Sequence, residues 1–321
     1  MKKKIQTVLT VLLALFCMTG CGSAQAASDR NDGRLKIVAT IFPEYDWVLN
    51  VLGGNPADAD VRLLLDKGID LHSYQPTAAD IRAISDCDLF IYVGGESDSW
   101  VKDALAESVN PDLVTMNLLE VLGSRAKEEE APEGAAAEEG EESESDEHIW
   151  LSLKNAEVLV TAIKDAICQK DPANQAVYEA NTKEYCQQLA RLDEAYQAAV
   201  NGSPLRTILF GDRYPFRYLA DDYGLKAYAA FSGCSAETEA SFETILFLAG
   251  KMDEEQLPCI LKIEGSDGKI ARTILNASRD PERQVLTMNS MQGEIPEGND
   301  YLEVMKENLD VLKSALDYGK E

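Results

Sequence analysis

The sequence predicts an α/β protein of two lobes, each a roughly four-stranded parallel sheet flanked by helices, joined by one long rigid helix. Three observations predict it. Short, apolar, β-branched runs alternate with stretches of helical spacing, an order that builds parallel sheets covered by helices. The alternation occurs twice, four strands before and four after one long amphipathic stretch. The chain has 321 residues, 45% of them apolar, which is the length of about two globular domains.

The elements follow in chain order. Met1-Lys2-Lys3-Lys4 and the apolar run Ile5 to Phe16 have the charged start and short core of a signal peptide, expected over 1–20, and are too short to span a bilayer comfortably. Residues 21–34, rich in Ser, Ala, Asn and Asp, read as a flexible tether. The N-terminal lobe is expected over 35–124. Its strands are Lys36 to Ile41, Val61 to Leu65, Leu89 to Val93 and Leu113 to Asn117, with helices over Glu44 to Leu52, Thr77 to Ile84 and Ser99 to Glu107. Thr77 is the expected N-cap of the second helix, with Asp80 in its first turn.

Residues 125–147 break the pattern. They carry eleven acids, ten Glu and Asp146, against Arg125 and Lys127. Such a segment cannot bury enough apolar surface to offset its ordering entropy, so it is expected as an acidic disordered loop. Over 148–170 the chain returns to a helix whose apolar face is Ala156, Leu159, Val160, Ile163, Ala166 and Ile167. The connecting helix is expected over 171–202. It opens at Asp171-Pro172 and carries the stripe Tyr178, Tyr185, Leu189, Leu192, Tyr196 and Val200, a rod of roughly 44 Å at 1.5 Å per residue. The C-terminal lobe fills 203–321, with strands Thr207 to Phe210, Lys226 to Ala229, Ile260 to Ile263 and Val285 to Met288 and a closing helix over Tyr301 to Leu316.

Charge narrows the function. Thirty Lys and Arg against 56 Asp and Glu give a net charge of −26. Phosphate binding needs clustered cations, so nucleic acid is excluded as a partner, and adsorption on an anionic membrane is disfavoured. Beyond Cys17 in the signal peptide and Cys21, five cysteines remain: Cys87, Cys168, Cys186, Cys234 and Cys259. An odd number without CxxC spacing is no disulfide framework, and each reads as a small buried residue. Cys234, in a polar Gly-Cys-Ser turn, stands apart.

In open parallel sheets, ligands bind beyond the carboxyl ends of the strands. His72 follows the second strand, in Asp70-Leu71-His72-Ser73-Tyr74, and His148 ends the acidic segment, in Asp146-Glu147-His148-Ile149-Trp150. They are the two histidines of the chain. Gly211-Asp212-Arg213 follows the first strand of the second lobe, Glu264 its third and Asn289-Ser290 its fourth. A lone histidine in a loop is ordinarily a solvated residue. Two of them beside two carboxylates and an amide are a candidate metal site, with imidazoles suiting zinc and added carboxylates suiting manganese. Tyr74 and Trp150 read as packing residues.

The motif Asp70-Leu71-His72-Ser73-Tyr74-Gln75-Pro76-Thr77, with Asp80 after it, resembles the first-ligand motif of the zinc and manganese solute-binding lipoproteins of metal ABC transporters (bacterial solute-binding protein family 9). Glu147-His148-Ile149-Trp150-Leu151 resembles their second. Ala220-Asp221-Asp222-Tyr223-Gly224-Leu225 and Ile263-Glu264 match later segments, and Met18-Thr19-Gly20-Cys21 resembles a bacterial lipoprotein cleavage box. The resemblance implies a monomeric extracytoplasmic protein, lipidated at Cys21 and held on the outer face of the cell membrane. It would capture zinc, or manganese, between its lobes and pass it to a permease. Carried over residue by residue, the resemblance places metal ligands at His72 and His148. Asp212 stands in for the family's third ligand and Asn289 for its fourth, with Glu264 beside them; Arg213 shares the third-ligand segment and would repel a cation. Two other classes compete: a metal-dependent hydrolase and an adhesin on the same fold. Against the hydrolase, no HExxH or GxSxG occurs, and Gly265-Ser266-Asp267-Gly268-Lys269 lacks P-loop spacing.

Overall fold

The computed structural model describes residues 34–319 other than 56, 67, 135–144, 236–238, 294–297 and 299. The expected signal peptide, Cys21, most of the tether and the middle of the acidic segment lie outside the described residues. Among the described residues, eight strands form two parallel four-stranded sheets.

In the N-terminal lobe, β1 (Lys36–Ala39), β2 (Asp60–Leu63), β3 (Leu89–Tyr92) and β4 (Val114–Asn117) lie in the order β2-β1-β3-β4. Ile37 pairs with Val61 on one side and Leu89 on the other. Ile37, Val38, Ala39, Leu89, Phe90 and Ile91 are buried, as central strands covered on both faces must be. The strands are followed by α1 (Phe42–Leu52), α2 (Ala78–Asp86), α3 (Val101–Ala106) and α4 (Leu118–Leu122). Thr77 caps α2 as its sequence predicts, accepting from the Asp80 N–H while the Asp80 carboxylate accepts from the Thr77 N–H at 2.9 Å.

Two helices lead out of this lobe, α5 (Leu153–Lys170) and, after a 3-10 turn at Pro172–Asn174, α6 (Gln175–Asn201). The 27 residues of α6 make a rod of about 40 Å. The predicted stripe Tyr178, Tyr185, Leu189, Leu192, Tyr196 and Val200 is buried throughout.

The second sheet holds β5 (Thr207–Tyr214), β6 (Lys226–Ser232), β7 (Cys259–Ile263) and β8 (Gln284–Met288), ordered β6-β5-β7-β8. Its helices are α7 (Arg217–Tyr223), α8 (Phe242–Glu254), α9 (Lys269–Ala277) and α10 (Tyr301–Ala315). Both sheets therefore reverse direction of growth beside their first strand, where carboxyl ends open a crevice. The predicted end of β5 at Phe210 is corrected: the strand continues through Asp212 and Arg213 to Tyr214, with a register irregularity between Phe210 and Arg213. Gly211 serves close packing within it, since a Cβ there would lie 2.5 Å from the Cα of Ala271 on α9.

One hydrophobic cluster runs through the first lobe, α5, α6 and the adjoining side of the second lobe; another lies between the second sheet and α8 and α9. Asn181 of α6 donates to the Val51 carbonyl of α1 at 3.0 Å, and the Tyr196 hydroxyl donates to the Met305 carbonyl of α10 at 2.6 Å. The rod is fastened to both lobes.

The expectation that the acidic segment has nothing to pack against is corrected at both of its ends. The Tyr218 hydroxyl accepts from the Lys127 N–H at 2.8 Å and donates to the Asp146 carbonyl at 3.0 Å. Arg217 pairs with Glu130 at 2.9 Å, Lys226 with Glu133 at 3.3 Å, and Glu133 bridges to Tyr228 of β6. Main-chain groups and ion pairs supply contacts that a count of apolar residues does not register.

Candidate metal centre

Both histidines are set by the same local device. Asp70 Oδ1 accepts from the His72 N–H at 3.0 Å, and Asp146 Oδ1 from the His148 N–H at 2.9 Å. An aspartate two residues upstream thus turns each backbone. Leu71 is buried beneath the first turn, and Ile149, Trp150 and Leu151 form a buried 3-10 turn behind the second. Trp150 donates its indole N–H to the Ser290 carbonyl at 2.8 Å and accepts from the Tyr301 hydroxyl at 2.6 Å. This packing joins the His148 turn to the β8–α10 loop.

The rings converge. His148, wholly buried, has Nδ1 2.9 Å from Asp146 Oδ1. Its Nδ1 is therefore the donor, leaving a lone pair on Nε2. His72 Nδ1 lies 2.8 Å from Ser97 Oγ and 3.5 Å from the Glu147 carboxylate. The two Nε2 atoms are 3.3 Å apart. Two nitrogens bound at about 2.05 Å around a tetrahedral ion stand about 3.3 Å apart. The Gln292 side-chain amide lies on the same point, donating to His72 Nε2 at 2.7 Å and to His148 Nε2 at 2.8 Å.

Cys234 completes the cluster. One ligand atom from each of His72, His148 and Cys234 lies within 4.8 Å of the others. Its turn presses against the second ring, where a Cβ on Gly233 would fall 2.8 Å from His148 Cε1. Glu129, at the start of the acidic segment, accepts from the Cys234 N–H at 3.0 Å.

Burial, reinforced by His148, pushes His72 down to about 3. Burial first, then Glu129 and Glu147, push the Cys234 thiol up. Burial also raises Glu147. Arg213 does not stand against the site as a free cation, because its guanidinium pairs with Asp70 at 2.5 Å. Imidazole nitrogens, a thiol and surrounding carboxyls are together suited to receive a cation.

Among the described residues, Asp212 and Glu264 fall outside the cluster of His72, His148 and Cys234. Asp212 Oδ1 accepts from the Arg213 N–H at 2.9 Å and Oδ2 from the Ile263 N–H at 3.4 Å. Glu264 accepts from Ser290 N (2.6 Å), Ser290 Oγ (2.8 Å) and the N–H groups of Gln292 (3.1 Å) and Gly293 (3.3 Å). Asn289 Oδ1 accepts from the Met291 N–H at 2.8 Å. All three serve backbone groups, and Glu264 shapes the loop that presents Gln292. Sequence reading missed Gln292, which has no pattern around it, and set Cys234 apart without placing it. The repeated Asp-x-His spacing was a signal it left unused.

Residues 37–315 match the family profile described as zinc-uptake complex component A, periplasmic. The zinc-binding lipoprotein AdcA of Streptococcus pneumoniae is 30% identical over 98% of this chain, which spans only 61% of that relative's length. The high-affinity zinc uptake system protein ZnuA of Bacillus subtilis is 28% identical, with 98% of this chain and 99% of that one covered. The crystal structure of the Zn(II)-bound ZnuA-like domain of Streptococcus pneumoniae AdcA matches with a TM-score of 0.69 at 28% identity, covering 89% of this chain and 100% of that one. The periplasmic zinc-binding protein TroA of Treponema pallidum shares the fold, with a TM-score of 0.72 at 22% identity over 88% of this chain and 99% of that one.

Proposed function

The chain belongs to the family of periplasmic components A of zinc-uptake complexes, and on that premise we propose that it captures zinc between its lobes for delivery to the permease of an ABC transporter. It is a binding protein and not an enzyme. The observation that carries the reading is the convergence of two imidazole nitrogens, 3.3 Å apart, on turns whose backbones are each held by an aspartate. Zinc is the cargo favoured by nitrogen donors at that spacing. Retention outside the membrane through a lipidated Cys21, as a monomer, belongs to the same proposal.

Calorimetric titration of zinc into wild-type, His72→Ala and His148→Ala protein tests it. Each single change is expected to weaken binding by at least about tenfold to a hundredfold, a loss that even groups behind the ligands can cause. Zinc affinity that survives removal of both histidines would overturn the proposal.

A further inference from the structure

We propose that Cys234 and Gln292 complete a closed four-donor site with His72 and His148, two nitrogens, a thiolate sulfur and an amide oxygen, and that this site takes thiophilic divalent ions and rejects manganese. The inference deepens the zinc-capture reading and rests on it.

Four separate loops deliver the four groups. His72 comes from the turn at Leu71–Ser73, His148 from the end of the acidic segment, Cys234 from the turn after β6 and Gln292 from the loop after β8. Sulfur and nitrogen atoms of the first three lie within 4.8 Å of one another. Gly233 permits the approach of the cysteine turn to His148, and Glu129 holds its backbone. Gln292 is buried, with its amide within 2.8 Å of both imidazole nitrogens. A half-turn of that amide brings Oε1 to the same point. Its loop is fixed by Glu264, which accepts from the Gln292 N–H and from Ser290.

The charges agree. Neutral histidines and an amide carry none, so a thiolate leaves the donor set at −1 facing a divalent ion. The Glu129 carboxylate accepts from the Cys234 N–H at 3.0 Å, which adds a negative group beside the donor set on the side from which a cation would be held. On binding, the S–H bond breaks, the S–metal bond forms and the proton passes to water. Thiolate suits zinc and cobalt(II), whereas manganese takes oxygen-rich, higher-coordinate sites and is the weakest binder of the divalent series.

The test uses the whole reduced protein. Cobalt(II) titrated into wild type should give the intense near-ultraviolet thiolate-to-cobalt absorption, and Cys234→Ser should lack it. Cys234→Ala should weaken zinc by at least about tenfold to a hundredfold, and Gln292→Ala by about tenfold with the thiolate band retained. In a second measurement that needs no variant, zinc should slow alkylation of Cys234 by iodoacetamide, read by peptide mass spectrometry against Cys168 and Cys186, and manganese should not. Zinc that binds through the histidines without a thiolate band or Cys234 protection overturns the inference and leaves the zinc reading standing. Unchanged or tighter zinc binding by Gln292→Ala, or protection by manganese, also overturns it. Absence of zinc binding to wild type removes both.

Discussion

Glu44 is wholly buried behind β1, and its Oε2 accepts from the Thr40 N–H (2.8 Å), the Thr40 hydroxyl (3.0 Å) and the Ile41 N–H (3.3 Å). Its Oε1 and the Oδ1 of buried Asp98 have no hydrogen-bond partner among the described residues. Burial foremost, then repulsion from Asp98, pushes Glu44 up to about 8; burial pushes Asp98 up to about 7. Between the unfolded carboxyl range and these values the folded chain binds more protons than the unfolded one. Stability from this pair is therefore full below about pH 4 and declines as pH rises to about 8. Glu44→Gln keeps the acceptor and removes the charge. It should stabilise the protein at pH 8 by on the order of 3 kcal/mol and flatten the decline. Thermal melts of both proteins from pH 5 to 9 check this; a variant less stable than wild type at pH 8 contradicts it.

Among the elements, those set by local pattern were legible and those set by tertiary packing were not. Eight strands, the capping of α2 by Thr77 and the stripe of α6 follow from periodicity and cap chemistry, which are local. The extension of β5 depends on Gly211 lying against Ala271 of α9, a contact 60 residues away in the chain. The two histidines stood out because the chain has no others. Gln292 did not, and Cys234 stood apart only as a polar turn, because it is folding that brings these second-lobe loops against the histidines. The contacts at the start of the acidic segment were hidden for the same reason, their partners being Tyr218, Arg217 and Lys226 of the second lobe. Replacing residues 127–133 by a Gly-Ser linker of equal length should therefore lower the melting temperature by about 3–6 °C, the equivalent of roughly 1–2 kcal/mol. It should also weaken zinc binding, since Glu129 holds the Cys234 turn. Differential scanning calorimetry settles the first point, and an unchanged transition would restore the view of a segment without partners.

Across the whole molecule, the lobes are tied in too many places to rock apart as rigid bodies. Besides α6, Trp150 reaches Ser290 and Tyr301, Asp70 reaches Arg213, and Tyr218 gathers both ends of the acidic segment. A shared hydrophobic cluster lies behind these contacts. Opening a wide hinge would expose it, and buried apolar area costs about 25 cal/mol per Å² to return to water. Metal entry through the proposed site would then fall to movement of the loops carrying His72, Cys234 and Gln292 rather than of the lobes. Loop movement around a fixed frame and hinge closure leave different traces in amide exchange. Hydrogen–deuterium exchange with and without zinc should show protection within residues 70–74, 146–151, 233–235 and 289–293. Exchange along α6 and α10 should stay unchanged, because the proposed donors lie on neither the rod nor its fastenings at Val51 and Met305. Zinc-dependent protection spread along α6 would mean that the rod itself bends, and that the lobes move as wholes when the metal is taken up.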